Sequence, residues 1–175
     1  MISEELKKIA IERTIEYFSM ANIVITDEEK LNIEVADFGL NDLYNTGLEI
    51  LTYVNTERCC TKELVLFPNQ TCPEHRHPPI LDSLGKEETF RCRWGKVYLF
   101  VEGESTKKLA VQPPQGTYTV FKQIELNAGE QYTLYPNTKH WFKAGSEGAV
   151  ISEFSTTSVD EADVFSDNRI VRVEE

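Results

Sequence analysis

From about Gly47 onward the chain is a succession of short runs of strand-forming residues, each closed by a turn signal, and that pattern narrows its fold more than any other feature. Residues 48–54, 62–67, 90–101 and 118–126 are rich in Val, Ile, Leu, Phe, Tyr and Thr, which suit the pleated, half-buried surface of a sheet. Between and after them stand Pro68-Asn69, Gly95-Lys96, Glu102-Gly103, Asn127-Ala128-Gly129 and the segment 145–148, where Gly, Pro and Asn supply the backbone angles of tight turns. Many short strands divided by turns predict an antiparallel barrel or sandwich, a mainly β fold.

A helical preface precedes the strands. Residues 3–20 are predicted to be helical: Ser3 is placed to cap, Glu4 and Glu5 fall where the helix dipole favours acids, and Leu6, Ile9, Ala10 and Tyr17 recur at roughly helical spacing. A second helix is predicted over 27–36, because Thr26-Asp27-Glu28-Glu29 has the capping-box pattern just before Leu31 and Ile33. The expected organisation is a single domain over 1–175, with a helical segment at 1–45, a barrel core at 46–155 and a tail at 156–175 packing on the barrel. Its 175 residues are enough to bury a core without staples. A net charge of −11 argues against nucleic acid or an anionic membrane surface, both of which select basic faces. No apolar run of signal or membrane-spanning length is present, so the cytoplasm is the expected compartment. Cys59, Cys60, Cys72 and Cys92 lack any Cys-x-x-Cys spacing and read as reduced thiols.

All three histidines of the chain lie in two short segments, Pro73-Glu74-His75-Arg76-His77-Pro78 and Asn137-Thr138-Lys139-His140. On a strand, side chains two apart point the same way, so His75 and His77 reach one point in space. An acid on the return segment Lys86-Glu87-Glu88-Thr89-Phe90, with His140, completes a ligand set for one metal ion. Glu87 and Glu88 compete for that role. Alternation groups Glu88 with Phe90, Cys92 and Trp94, and Glu87 with Arg91 and Arg93, so the apolar inward face takes Glu88.

Two hairpin registers extend the site. If Ser146-Glu147 is a two-residue turn between Gly145 and Gly148, His140 stands directly opposite Glu153, on the same side of the sheet. A turn at Asn69-Gln70 would pair Lys62 with His77 and Leu64 with His75, although Pro68 and Pro73 bracket it and a bulge would turn Lys62 outward. Of the aromatics near these segments, Phe90, Trp94, Tyr132, Trp141 and Phe142, most read as core packing.

These residues resemble known families. His75-Arg76-His77 with Glu88, six residues and Gly95 is similar to the first cupin motif, with ten residues between His77 and Glu88 instead of three or four. Gly129, Tyr135-Pro136-Asn137 and His140 are similar to the second, with Asn137 where the family prefers glycine. A closer resemblance is to the D-lyxose isomerase family, carried by residues 60–68, 71–79 and 85–99, by Pro136-Asn137-Thr138-Lys139-His140-Trp141-Phe142 and by Glu153-Phe154-Ser155-Thr156. It implies a cupin-type antiparallel β-barrel (double-stranded β-helix) with N-terminal helices, a homodimer, and a manganese-dependent enzyme interconverting D-lyxose with D-xylulose and D-mannose with D-fructose. It puts His75, His77, Glu88 and His140 on the metal ligands and Lys62 and Glu153 on positions tied to proton transfer and substrate contact. Asp163, Asp167 and Arg169 lie in a tail similar to the family's, and Asp163 and Arg169 join Lys62 and Glu153 as substrate-binding candidates.

The implied chemistry is consistent with the residues. Moving a proton between C1 and C2 of a sugar needs a polarised carbonyl, which a divalent ion supplies, and a base, for which Glu153 is the candidate with Lys62 as its cationic partner. Three other readings start from the same cluster: a phosphosugar isomerase, an iron dioxygenase and a non-catalytic sugar-binding cupin.

Overall fold

A computed structural model describes residues 2–172 of the chain. The expectations for Met1 and for residues 173–175 of the tail lie outside the described residues. Helix α1 (Glu4–Met20) starts as predicted, with the Ser3 hydroxyl accepting from the Leu6 N–H at 3.2 Å. Helix α2 is only Asp27–Leu31, opened by a full capping box between Thr26 and Glu29. Residues 34–36, predicted helical, instead form strand β1 (Glu34–Ala36), paired with β2 (Leu48–Asn55). The capping box fixes where a helix begins but carries no information about its end, and the buried Ile33 and Val35 alternate with the less buried Glu34 at strand period.

The remaining strands are β3 (Cys60–Leu66), β4 (Thr71–Arg76), β5 (Glu88–Val101), β6 (Lys122–Asn127), β7 (Gln131–Leu134), β8 (His140–Ser155) and β9 (Val164–Phe165). All their named pairings are antiparallel, in one curled sheet ordered β1-β2-β3-β8-β4-β9, from which β5 branches to pair with β6, β7 and β8. This is the mainly β, cupin-type architecture expected. Strand alternation sorts its core. On β3, Leu64 and Leu66 join the cluster inside the curl with Phe90, Phe142 and Ile151, whereas Val65 joins Ala10, Tyr17 and Phe18 of α1 on the outer face. Both faces are buried there, so the second half of β3, Leu64-Val65-Leu66, is a continuous apolar run.

Two local readings are corrected. Residues 145–148 are no hairpin turn: β8 runs through them as one strand, and its register against β5 slips between Gly95↔Ala149 and Val97↔Ala144. The slip is possible because Gly95 and Gly148 both adopt positive φ and pass closely. A Cβ on Gly95 would sit 2.2 Å from the Gly148 carbonyl oxygen. Residues 118–121, predicted strand, lie outside β6, because the N–H groups of Thr119 and Val120 donate to the buried Glu74 carboxylate (2.6 and 3.0 Å) instead of to a ladder.

Candidate metal centre

His75 is on β4, His77 one residue beyond its end, and His140 opens β8, where it is the direct register partner of His75. That pairing brings the third imidazole to the first two, while Glu153, predicted to stand opposite His140, pairs instead with Lys62 and Phe90. Their ligand atoms all lie within 4.8 Å of one another, and all three residues are buried. Each ring is oriented from behind. Nδ1 of His75 meets the Pro73 carbonyl at 2.8 Å, Nδ1 of His140 meets the Thr138 carbonyl at 2.9 Å, and Nδ1 of His77 meets the Asp163 carboxylate. An acceptor at every Nδ1 holds a proton there and leaves Nε2 facing inward, the atom a metal would take. Burial, followed by the neighbouring His140 and His77, pushes His75 well below its usual pKa and keeps it neutral.

Glu88, the first residue of β5, presents Oε1 to Nε2 of His140 at 3.0 Å and to Nε2 of His77 at 3.2 Å. Glu87, one residue before β5, is exposed, whereas Glu88 is buried and faces the imidazoles. Burial works to raise the Glu88 carboxyl, but Lys86, His77 and His140 outweigh it and hold it well below the usual range. Burial likewise opposes a charge on His77, yet Glu88 and Asp163 push that ring up to about 9. The pocket therefore draws positive charge. Nε2 of His77, Nε2 of His140 and Oε1 of Glu88 are buried and face one another at these distances without the angles of a hydrogen bond, and a divalent ion would satisfy all three. Three imidazoles and one carboxylate are a donor set that fits such an ion.

Lys62 and Glu153 are register partners across β3 and β8 and line the same cavity as His75 and His77. They are not an ion pair there. The Lys62 ammonium bonds Asp160 (2.6 Å) and the Ser158 hydroxyl (3.2 Å), and β3 does not pair with β4, so the predicted Lys62–His77 register is replaced by Lys62↔Thr52 and Lys62↔Glu153. The cation on Glu153 is Lys86, at 2.6 Å. Sequence reasoning missed Lys86 as a site residue, although alternation through 86, 88 and 90 puts it on the inward face. It also missed Asp160, Phe165 and Arg172, which reach the cavity from the tail; no local pattern marks them. Arg169 is not brought to the site. Its guanidinium is held by Asp167 and the Gln115 carbonyl, and Asp167 also takes the Thr117 N–H.

Asp163 lies behind His77, with its carboxylate on Nδ1. Asp163→Asn is expected to weaken divalent-metal affinity by about 10–100-fold, as loss of an orienting carboxylate does. A competition titration against a chelating dye checks it. Unchanged metal affinity with a raised KM would assign Asp163 to the substrate instead.

His75, His77, Glu88, Glu153 and Lys86 border a cavity of about 40 Å³. His77, Lys86 and Asp163 also line a neighbouring cavity of about 370 Å³, walled by Pro78, Ile80 and Val159. Only the second has the roughly 300–1,000 Å³ typical of small-molecule sites.

The family model for D-lyxose isomerase matches residues 18–175. The chain is 61% identical to a D-lyxose/D-mannose isomerase of Thermosediminibacter oceani, over 100% of this chain and 98% of that one. It is 57% identical to a D-lyxose ketol-isomerase of a Thermofilum species, over 100% and 99%. Among solved structures, the L-ribose isomerase of Cellulomonas parahominis superposes with a TM-score of 0.75 at 16% identity, covering 96% of this chain and 94% of that one, a likeness of fold.

Proposed function

The chain belongs to the D-lyxose isomerase family, and from that premise we propose that it is a metal-dependent isomerase interconverting D-lyxose with D-xylulose and D-mannose with D-fructose. The observation that carries the reading is the convergence of three inward Nε2 atoms and the Glu88 carboxylate beside a second buried carboxylate, Glu153. A divalent ion held by His75, His77, His140 and Glu88 would supply Lewis-acid polarisation of the sugar carbonyl. Glu153 removes the proton from C2 of the aldose and returns it to C1, while a proton passes from the C2 hydroxyl to the C1 oxygen. The two ends of the step, through a cis-enediol, are isomers, so nothing else is consumed. The apolar rings of Phe90 and Phe142 line the cavity and keep water from the reacting carbons. The rest of the sugar extends toward the larger cavity past Lys86.

Charge favours a free sugar over a phosphorylated one. The cations bordering the inner cavity are each matched by a carboxylate: Lys62 by Asp160, Lys86 by Glu88 and Glu153, and Arg172 by Glu34. A phosphate would have to break one of these pairs. Manganese as the ion, a homodimer and a cytoplasmic location accompany this reading; among the described residues no helix is long and apolar enough to cross a membrane.

Manganese-loaded protein incubated with D-lyxose is expected to yield D-xylulose, followed by carbon NMR of the sugar, with phosphorylated aldoses turned over poorly. No ketose from any free aldose, across several divalent metals, would overturn the reading.

A further inference from the structure

Two buried carboxylates approach the metal centre from neighbouring strands. Glu88 on β5 pairs with Ser155, and Phe90 pairs with Glu153 on β8, so Glu88 and Glu153 are diagonal neighbours on one face, a distance that long side chains span. Both are almost fully buried, at 2% and 4% exposure. Hard divalent cations accept carboxylates readily, so something must make one a ligand and leave the other a base. Lys86 makes that distinction. Its ammonium lies 2.8 Å from Oε2 of Glu88 and 2.6 Å from Oε1 of Glu153, leaving Oε1 of Glu88 facing the imidazoles. Glu153 also accepts from the Ser155 hydroxyl at 3.3 Å, and Lys62 is engaged by Asp160.

We propose that Lys86 is a positioning residue that keeps Glu153 off the metal, reserving it as the free base, while leaving Glu88 one oxygen with which to ligate. This rests on the isomerase reading for the word base, but not for the geometry. Without the ammonium, and with Lys62 held by Asp160, the metal is the cation left for Glu153. It then swings inward, occupies a position a sugar oxygen needs, and loses its basicity.

The test uses cobalt(II) as a spectroscopic probe and full-length protein. Lys86→Met is expected to bind cobalt at least as tightly as the parent, to show an altered visible absorption spectrum from the added carboxylate, and to lose turnover of D-lyxose by about 10²–10⁴-fold. Lys86→Met combined with Glu153→Gln is expected to return the spectrum to the parental one without restoring turnover. A residue that merely supported the fold would instead weaken metal binding in Lys86→Met and in Lys86→Gln alike. Either that loss or a parental spectrum in Lys86→Met overturns the proposal. Should the lysine variants not fold, Glu153→Gln alone decides: a cobalt spectrum different from the parent's would mean that Glu153 already ligates with Lys86 in place, which also overturns it. The spectra need no sugar, so a parent protein inactive on every aldose would sink the isomerase reading separately.

Discussion

Glu153→Gln is expected to fold, to bind divalent metal like the parent, and to isomerise D-lyxose about 10³-fold more slowly. Glutamine has nearly the shape of glutamate, and its amide oxygen can accept the same bonds from Lys86 and Ser155 that Oε1 accepts now. Lys86 keeps a full carboxylate partner in Glu88, so the substitution strands no buried charge, the usual source of large stability losses. What it removes is the ability to take a proton from carbon. General-base catalysis contributes about 10²–10⁴-fold, and a factor of 10³ corresponds to about 4 kcal/mol of barrier. Because the lost interaction is made only in the transition state, kcat and kcat/KM should fall together. Steady-state kinetics with the metal content measured on the same sample checks it. Activity within tenfold of the parent would move the base elsewhere in the cavity, whose wall also carries Asp160 and Asp163.

The route to Glu153 shows what a sequence of this kind discloses. The period-two rule placed His75 with His77 and Glu88 ahead of Glu87, because strand alternation is a local property that survives into the fold; applied one step further back, it also reaches Lys86. The registers were different. The segment Gly145-Ser146-Glu147-Gly148 has the composition of a hairpin, yet β8 runs through it, because Gly95 on the facing strand gives way at the same point. A turn signal depends on what lies opposite, and that partner is about fifty residues away in sequence. Glu153 therefore enters the cavity as the register partner of Lys62 and Phe90, and His140 as that of His75. The tail was least legible. Asp160 reaches Lys62 and Asp163 reaches His77 across sequence separations of 98 and 86 residues, through side chains in a stretch with little regular structure to give them a period.

Metal removal should expose the centre as a stabilising element. An ion that binds only the folded chain adds about 4 kcal/mol at a free concentration of about 1,000 Kd, which for a chain of this size corresponds to a Tm rise of about 8–16 °C. Chelation should reverse it, and replenished manganese should restore it. His140→Ala, which deletes a proposed ligand whose ring is almost fully buried, is expected to abolish both the metal-dependent rise and turnover. The size of the rise also carries a pH signature. In the metal-free protein, Glu88 and Asp163 outweigh burial and lift His77 from its ordinary 6.5 to about 9. A raised pKa contributes stability that is fully present below about pH 6.5 and is lost as pH climbs through about 9. The loaded protein, its His77 Nε2 given to the metal, has no such contribution to lose. The gap between loaded and metal-free Tm should therefore widen as pH is raised from 6.5 to 9. A gap that stays flat over that window, measured by scanning calorimetry on both forms, would remove His77 from the ligand set.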